Sequence, residues 1–253
     1  MKLHVVGSSP AMPRPGGACS SYLIRTDDAS VVFDLGTGAF AKLLLAVDPT
    51  RIDAIVVTHM HADHFFDLVP LHYTMKYGDV RFERRLPVWL PPGGRSSLEA
   101  LRRAVSPDAR EDFFSGFFAV AEYDPAQELR INDLTLRFAR TRHFVDAYAI
   151  RAESAGASLA YSADTAPCEP VVALASQASL FLCEAAVGLA TEQGERGHSS
   201  AEEAGEMAAR ARAGRLLLTH YSAAHAPSSL AEAAAKHFAG PVAAVDDGMD
   251  FTV

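Results

Sequence analysis

Residues 58–64, Thr-His-Met-His-Ala-Asp-His, place four side chains able to ligate a metal within six positions: His59, His61, Asp63 and His64. A lone histidine is more often a satisfied core or surface residue than a ligand. Three histidines and a carboxylate in alternation are a different pattern, because alternate residues of an extended turn point to the same side. His59 and His61 can therefore share one ion while Asp63 and His64 face another. Neutral imidazole and carboxylate at this density suit Zn²⁺, with Mn²⁺ or Fe as alternative occupants. The chemistry such a pair of ions supports is hydrolysis, through a polarised substrate oxygen and a water of lowered pKa.

Six short apolar runs each end in a residue of this chemical kind. Ser30–Phe33 ends at Asp34, Ala54–Thr58 at His59, and Leu134–Arg142 at His143. Ser158–Ala163 ends at Asp164, Leu180–Cys183 at Glu184, and Leu216–Thr219 at His220. Runs of this length bounded by turn residues read as buried strands. Strand ends grouped on one sheet edge are where functional loops converge, so the pattern predicts one polar site drawn from the whole chain. It also predicts a single domain over 1–253. Helical periodicity is expected over Gly38–Ala46, Ser96–Ala104 and Ala201–Ala213. The last is opened by Ser199 or Ser200 with Glu202 and Glu203 three residues on, a capping box, and Gly214 is the expected C-terminal cap. The Phe-Phe-Ser-Gly-Phe-Phe stretch at 113–118 reads as a packing helix or a lid.

Composition narrows the class. The chain has 253 residues, 49% hydrophobic and 21% charged, which is globular rather than disordered. Lys and Arg number 23 against 31 Asp and Glu, a formal net charge of −8, which argues against a nucleic-acid coat protein. Neither a membrane nor DNA is an expected partner. The opening MKLHVVGSSP is interrupted by polar residues where a signal peptide keeps an apolar stretch, so a cytoplasmic location is expected. Cys19, Cys168 and Cys183 are odd in number and far apart, so they read as small buried apolar residues rather than a disulfide framework or a zinc knot.

The 58–64 segment resembles the His-x-His-x-Asp-His signature of the metallo-β-lactamase superfamily, and His143, Asp164 and His220 follow in the order that family has. The resemblance implies an α/β fold, a four-layer αββα sandwich with a dinuclear site on one edge. It implies that His59, His61 and His143 hold the first metal, that Asp63, His64 and His220 hold the second, and that Asp164 bridges them. Within the superfamily the chain is similar to the ribonuclease Z group. The similar segments are Val6–Ala11 with Cys19–Leu23, Phe33-Asp34-Leu35-Gly36, Ser162-Ala163-Asp164-Thr165, Gly197–Ala201 and Leu218–Ser222, and Cys183-Glu184-Ala185-Ala186 resembles a degraded His-Glu-Ala-Thr motif. One departure is plain. Ribonuclease Z carries a long arm between its third histidine and the bridging Asp, and that arm grips tRNA, whereas His143 and Asp164 are only 21 positions apart. Arm-less proteins of this kind resemble short bacterial relatives and cyclic phosphodiesterases. The homodimer common in the ribonuclease Z group is carried over as an expectation.

These residues point to a dinuclear zinc hydrolase of phosphodiesters, acting on a small cyclic or short single-stranded substrate by attack of a hydroxide shared between the metals. The resemblance implies that Asp63 orients or deprotonates the water. His198 would protonate the leaving alkoxide, with Glu184 holding it charged; the carboxylate raises the imidazole pKa and outweighs the opposing helix dipole. Asp34 would sit behind the ligands, fixing a histidine tautomer. Phe144 and Tyr221 flank ligands and could line the substrate pocket. The alternatives are a lactone or thioester hydrolase on the same metal pair and a ribonuclease Z-type tRNA 3′-end endonuclease. A redox diiron protein is disfavoured because Ala62 stands where those relatives carry Glu.

Overall fold

The computed structural model describes residues 1–106, 113–189 and 194–253. The first six strands are β1 (Lys2–Gly7), β2 (Ser21–Arg25), β3 (Ser30–Phe33), β4 (Ala54–Val56), β5 (Leu86–Leu90) and β6 (Phe118–Glu122). The second set is β7 (Leu129–Ile131), β8 (Leu134–Arg140), β9 (Tyr148–Ser154), β10 (Ala157–Tyr161), β11 (Leu180–Glu184), β12 (Leu216–Thr219) and β13 (Val242–Ala244), and β14 (Asp250–Thr252) closes the chain. They form two seven-stranded sheets, ordered β14-β1-β2-β3-β4-β5-β6 and β13-β12-β11-β10-β9-β8-β7.

Apolar side chains of both sheets, among them Leu3, Tyr22, Phe33, Val56, Leu136, Ile150, Tyr161 and Leu182, meet in one central core. Helices cover each outer face. On the first lie α1 (Ala39–Ala46), α2 (Ala62–Phe65), α3 (Leu68–Tyr77) and α4 (Gly94–Val105), and on the second α5 (Glu169–Leu174), α6 (Ala201–Ala211) and α7 (Pro227–Ala235). The architecture is the expected αββα sandwich. Alternating strands such as β8 bury one face only, whereas β11 and β12 are buried throughout because both their faces are covered.

Strand direction groups the chemistry. β3, β4 and β5 run parallel, as do β10, β11 and β12, and β8 joins that direction through two antiparallel pairings with β9. All six strands that deliver a polar residue therefore point their C-terminal ends to a common side of their sheet. The predicted runs match these strands to within a few residues.

Helix ends differ from expectation by a residue or two, and at α6 the capping residue differs as well. Ser200 caps α6 with the full capping box to Glu203, but the helix leaves at Arg212, which takes the left-handed conformation (φ 53°), and not at Gly214. Gly214 serves a close approach instead: its N–H donates to the Ala178 carbonyl, and a Cβ there would lie 2.8 Å from the Ser179 carbonyl oxygen. Cys19 and Cys183 are buried, while Cys168 is half-buried.

The 113–118 stretch is a turn that packs. Phe113, Phe114 and Phe118 are buried, and Phe113 stacks on the ring of His72 with centroids 3.7 Å apart. Among the described residues neither ring nitrogen of His72 has a hydrogen-bond partner. Burial, and to a lesser degree Lys76, push the His72 pKa down to about 4. The folded protein therefore holds His72 neutral where the unfolded chain would take a proton, so stability falls as pH drops from about 6.5 towards about 4. Wild type should lose about 2 kcal/mol more than His72→Phe between pH 7.5 and pH 5 in urea denaturation. Equal losses in the two proteins would refute this.

Candidate metal centre

The residues that end these strands converge on Asp164, which is 2% exposed. Its carboxylate Oδ2 lies 3.7 Å from His59 Nε2 and 3.9 Å from His143 Nε2, and His143 Nε2 faces His61 Nδ1 at 3.1 Å. On the other side its Oδ1 lies 3.3 Å from His64 Nε2, and Oδ2 lies 3.4 Å from His220 Nε2. Asp63 joins that group, with Oδ2 3.5 Å from His64 Nε2 and 3.8 Å from His220 Nε2. Two sets thus share Asp164: His59, His61, His143 and Asp164, and Asp63, His64, Asp164 and His220. Within each set the ligand atoms lie within 4.8 Å of one another.

These atoms lack other partners in a way that fits a cation. Among the described residues, the buried His59 Nε2, His64 Nε2 and Asp164 Oδ1 make no hydrogen bond. A buried polar atom left unpaired is costly, and one divalent ion in each ligand set would satisfy all three. Burial and neighbouring histidines hold the His59 pKa well below its ordinary value, which leaves a neutral imidazole fit to ligate. Burial opposes charge on His64 as well, yet Asp164 and Asp34 raise its pKa well above the ordinary value. That pocket favours positive charge.

Every Nδ1 behind the site is engaged. His64 Nδ1 donates to Asp34 Oδ2 at 2.8 Å, His143 Nδ1 donates to the Gly197 carbonyl at 2.8 Å, and His220 Nδ1 meets Ser20 Oγ at 2.8 Å. His59 Nδ1 lies 3.1 Å from Thr58 Oγ1. Such partners fix the tautomer that leaves Nε2 as the ligand atom. Asp34 also accepts from the Thr58 N–H, the Thr58 hydroxyl and the Tyr161 hydroxyl, as its expected place behind the ligands requires. Asp34, Ala163 and His220 all have left-handed backbones (φ 57°, 51° and 54°), so three strand ends carry local strain at the site.

A third cluster adjoins the first two. His198 Nδ1 is 2.9 Å from Glu184 Oε1 and 3.9 Å from Asp164 Oδ2. Glu184 is fully buried and is itself oriented by the Thr165 and Ala186 N–H groups. The His198 side chain is 25% exposed, which opens this pair towards solvent.

Tyr221 is a correction. It is 1% exposed, its ring lies under the Arg14 guanidinium at 4.1 Å, and its hydroxyl donates to the Val245 carbonyl, so it cannot line a substrate pocket. Phe144, by contrast, is 56% exposed, with its ring 5.4 Å from that of His143 and 6.0 Å from that of His198. Gly197 makes this possible, because a Cβ there would lie 2.4 Å from the Phe144 ring. Ser20 and Tyr161 were not singled out from the sequence, since a Ser or Tyr on a strand carries no signal of the partner it meets across the sandwich.

The profile of the Beta-lactamase superfamily domain matches residues 15–221. The chain belongs to the metallo-β-lactamase superfamily. It is 32% identical to the Mycobacterium tuberculosis protein Rv1339 over 97% of this chain and 89% of that one. It is 30% identical to a ribonuclease Z of a Mycobacterium species over 92% of this chain and 88% of that one. The crystal structure of the metallo-β-lactamase fold protein YhfI from Bacillus subtilis superposes with a TM-score of 0.88 at 26% identity, covering 99% and 98% of the two chains. This member falls in the ribonuclease Z-like group and is a metal-dependent hydrolase. Among the described residues no helix is long and apolar enough to cross a membrane.

Proposed function

We propose that the chain, as a single hydrolase domain over 1–253, is a dinuclear zinc phosphodiesterase acting on a small cyclic or short single-stranded phosphodiester. His59, His61, His143 and Asp164 would hold one ion, and Asp63, His64, His220 and the shared Asp164 the other. Imidazole and carboxylate donors favour zinc over the harder divalent cations. Bound there, the cations supply Lewis-acid polarisation of a phosphoryl oxygen and lower the pKa of water.

The observation that carries the reading is the His198–Glu184 pair beside Asp164. An alkoxide leaving group needs a proton, whereas the thiolate of a thioester leaves readily without one. Glu184 stabilises the imidazolium of His198, which donates that proton, and the N–H groups of Thr165 and Ala186 keep the carboxylate in place. Asp63 orients the attacking water and accepts its proton. Phe144 offers an exposed ring against which a base or another flat group could stack. The stretch from His143 to Asp164 holds only the β9–β10 hairpin, which leaves no room for a tRNA-gripping arm and supports a small substrate.

The test is hydrolysis of bis(p-nitrophenyl) phosphate beside a lactone and a thioester, with and without a chelator. Phosphodiester turnover abolished by chelation is expected; on a cyclic nucleotide, whose leaving group is an alkoxide and not p-nitrophenolate, His198→Ala should lower turnover about 10²-fold or more. Turnover of a carbonyl substrate alone, or a His198→Ala protein of full activity on the cyclic nucleotide, would overturn the reading. In a follow-up screen of nucleotide phosphodiesters, Phe144→Ala should raise KM with little change in kcat; an unchanged KM would remove Phe144 from the substrate site.

A further inference from the structure

His220 is held differently from the other histidines. Its backbone is left-handed (φ 54°), a conformation that favours glycine and that a histidine keeps only under restraint. The restraints come from segments at both ends of the chain. The His220 N–H donates to the Ser8 carbonyl at 2.9 Å, and the carbonyl of the next residue, Tyr221, accepts from Arg14 Nη1 at 3.0 Å. The Arg14 guanidinium sits over the Tyr221 ring, and its Nη2 donates to Ser8 Oγ at 2.6 Å and to Asp246 Oδ1 at 2.9 Å. Asp247 completes the clamp. Its Oδ1 accepts from the Ser8 N–H and hydroxyl at 3.0 and 2.7 Å, while its Oδ2 accepts from the Ala18 N–H and from Lys42 Nζ.

We propose that Arg14, Asp246 and Asp247 are positioning residues that lock His220 and so set the affinity of the Asp63–His64–Asp164–His220 site, leaving the His59–His61–His143 site alone. The proposal rests on the two-metal reading above. All three residues, and Ser8 between them, lie outside the 15–221 stretch that matches the superfamily profile. None of the hydrogen bonds behind His59, His64 or His143 passes through them; those run to Thr58, Asp34 and Gly197. Arg14 is 13% and Asp247 10% exposed at the side chain, so these two charges are shielded, whereas Asp246 is 49% exposed and adds its bond from the rim. Freed of it, the 220–221 backbone can relax out of the left-handed region and carry the imidazole away from Asp164.

The experiment is stepwise removal of zinc from the loaded protein by a chromophoric chelator, comparing wild type, Arg14→Met and Asp247→Asn. One ion should leave the variants with its affinity weakened about 10- to 100-fold, while the affinity of the other stays within about two-fold of wild type. In a His220→Ala background, Arg14→Met should produce no further weakening, because the clamp acts only through His220. Equal weakening of both ions, unchanged affinities, or an added loss in the His220→Ala background would each overturn the proposal. Asp247→Asn keeps one acceptor oxygen and nearly the same shape, so it provides the readout if Arg14→Met does not fold. A wild-type protein that holds fewer than two ions would sink the two-metal reading itself, which separates that failure from failure of the clamp.

Discussion

Asp164→Ala protein is expected to retain fewer than one zinc ion per chain and to lose phosphodiester hydrolysis by about 10³-fold or more. Among the described residues no other side chain stands in both ligand sets: Asp164 lies 3.3 to 3.9 Å from His64, His220, His59 and His143, and it borders His198 as well. Removing it leaves histidines crowded around a void, with Asp63 as the one remaining ligand carboxylate of the two sets against two dications. Its carboxylate is ready for the role. Burial alone would favour the neutral acid, but His220 and His64 hold its pKa well below the ordinary value, so it is ionised throughout the working range. Asp164→Asn tests charge against shape, because it preserves volume and one oxygen but offers an uncharged donor set. Metal analysis beside the bis(p-nitrophenyl) phosphate assay reads both variants. Two tightly held ions in Asp164→Ala protein would rule out the shared-ligand geometry.

Asp34→Ala should destabilise the protein by about 3–5 kcal/mol and weaken zinc binding about 10- to 100-fold. Asp34 is fully buried and accepts from the Thr58 N–H, the Thr58 hydroxyl, His64 Nδ1 and the Tyr161 hydroxyl. Its loss leaves these donors buried without an acceptor, a larger penalty than the net worth of the bonds. Alanine also tolerates the left-handed backbone at this position less well than aspartate does. Asp34→Asn separates the two effects: asparagine accepts the φ of 57° and can still receive the Thr58 N–H, but its amide cannot accept a further proton from His64. It should recover part of the stability while zinc binding stays weak. Urea denaturation and zinc content measure the two quantities, and an Asp34→Ala protein within about 0.5 kcal/mol of wild type would contradict the argument.

The candidate ligands were legible as a group because ligation needs particular atoms. His59, His61, Asp63 and His64 are close in sequence, and His143, Asp164, Glu184 and His220 each follow an apolar run that forms a strand. The strand runs were legible because a strand covered on both faces is continuously apolar and one covered on a single face, such as β8, alternates; their ends were legible because a polar residue breaks the apolar run even where it is itself buried, as Asp34, His59, Asp164, Glu184 and His220 are. The capping box of α6 was local chemistry and appeared as expected. Gly214 was misread because its value lies in a close approach to Ser179, a contact between segments far apart in the chain. Tyr221 was misplaced for a related reason. Adjacency to a ligand in sequence does not fix which way a ring turns, and here Arg14 and Val245 claim it for the interior.

The amino-acid sequence by itself determined the superfamily, the cluster of candidate donors and the strand-end logic, because these depend on residue type, short spacing and burial period. Only the tertiary structure decided which groups meet across the sandwich. Ser20 reaches His220, Tyr161 reaches Asp34, and Arg14, Asp246 and Asp247 close on the His220 backbone, joining one end of the chain to the other. A hydrogen-bond partner 200 residues away leaves no periodicity and no local spacing behind, since it is set by how two sheets pack and not by either strand alone.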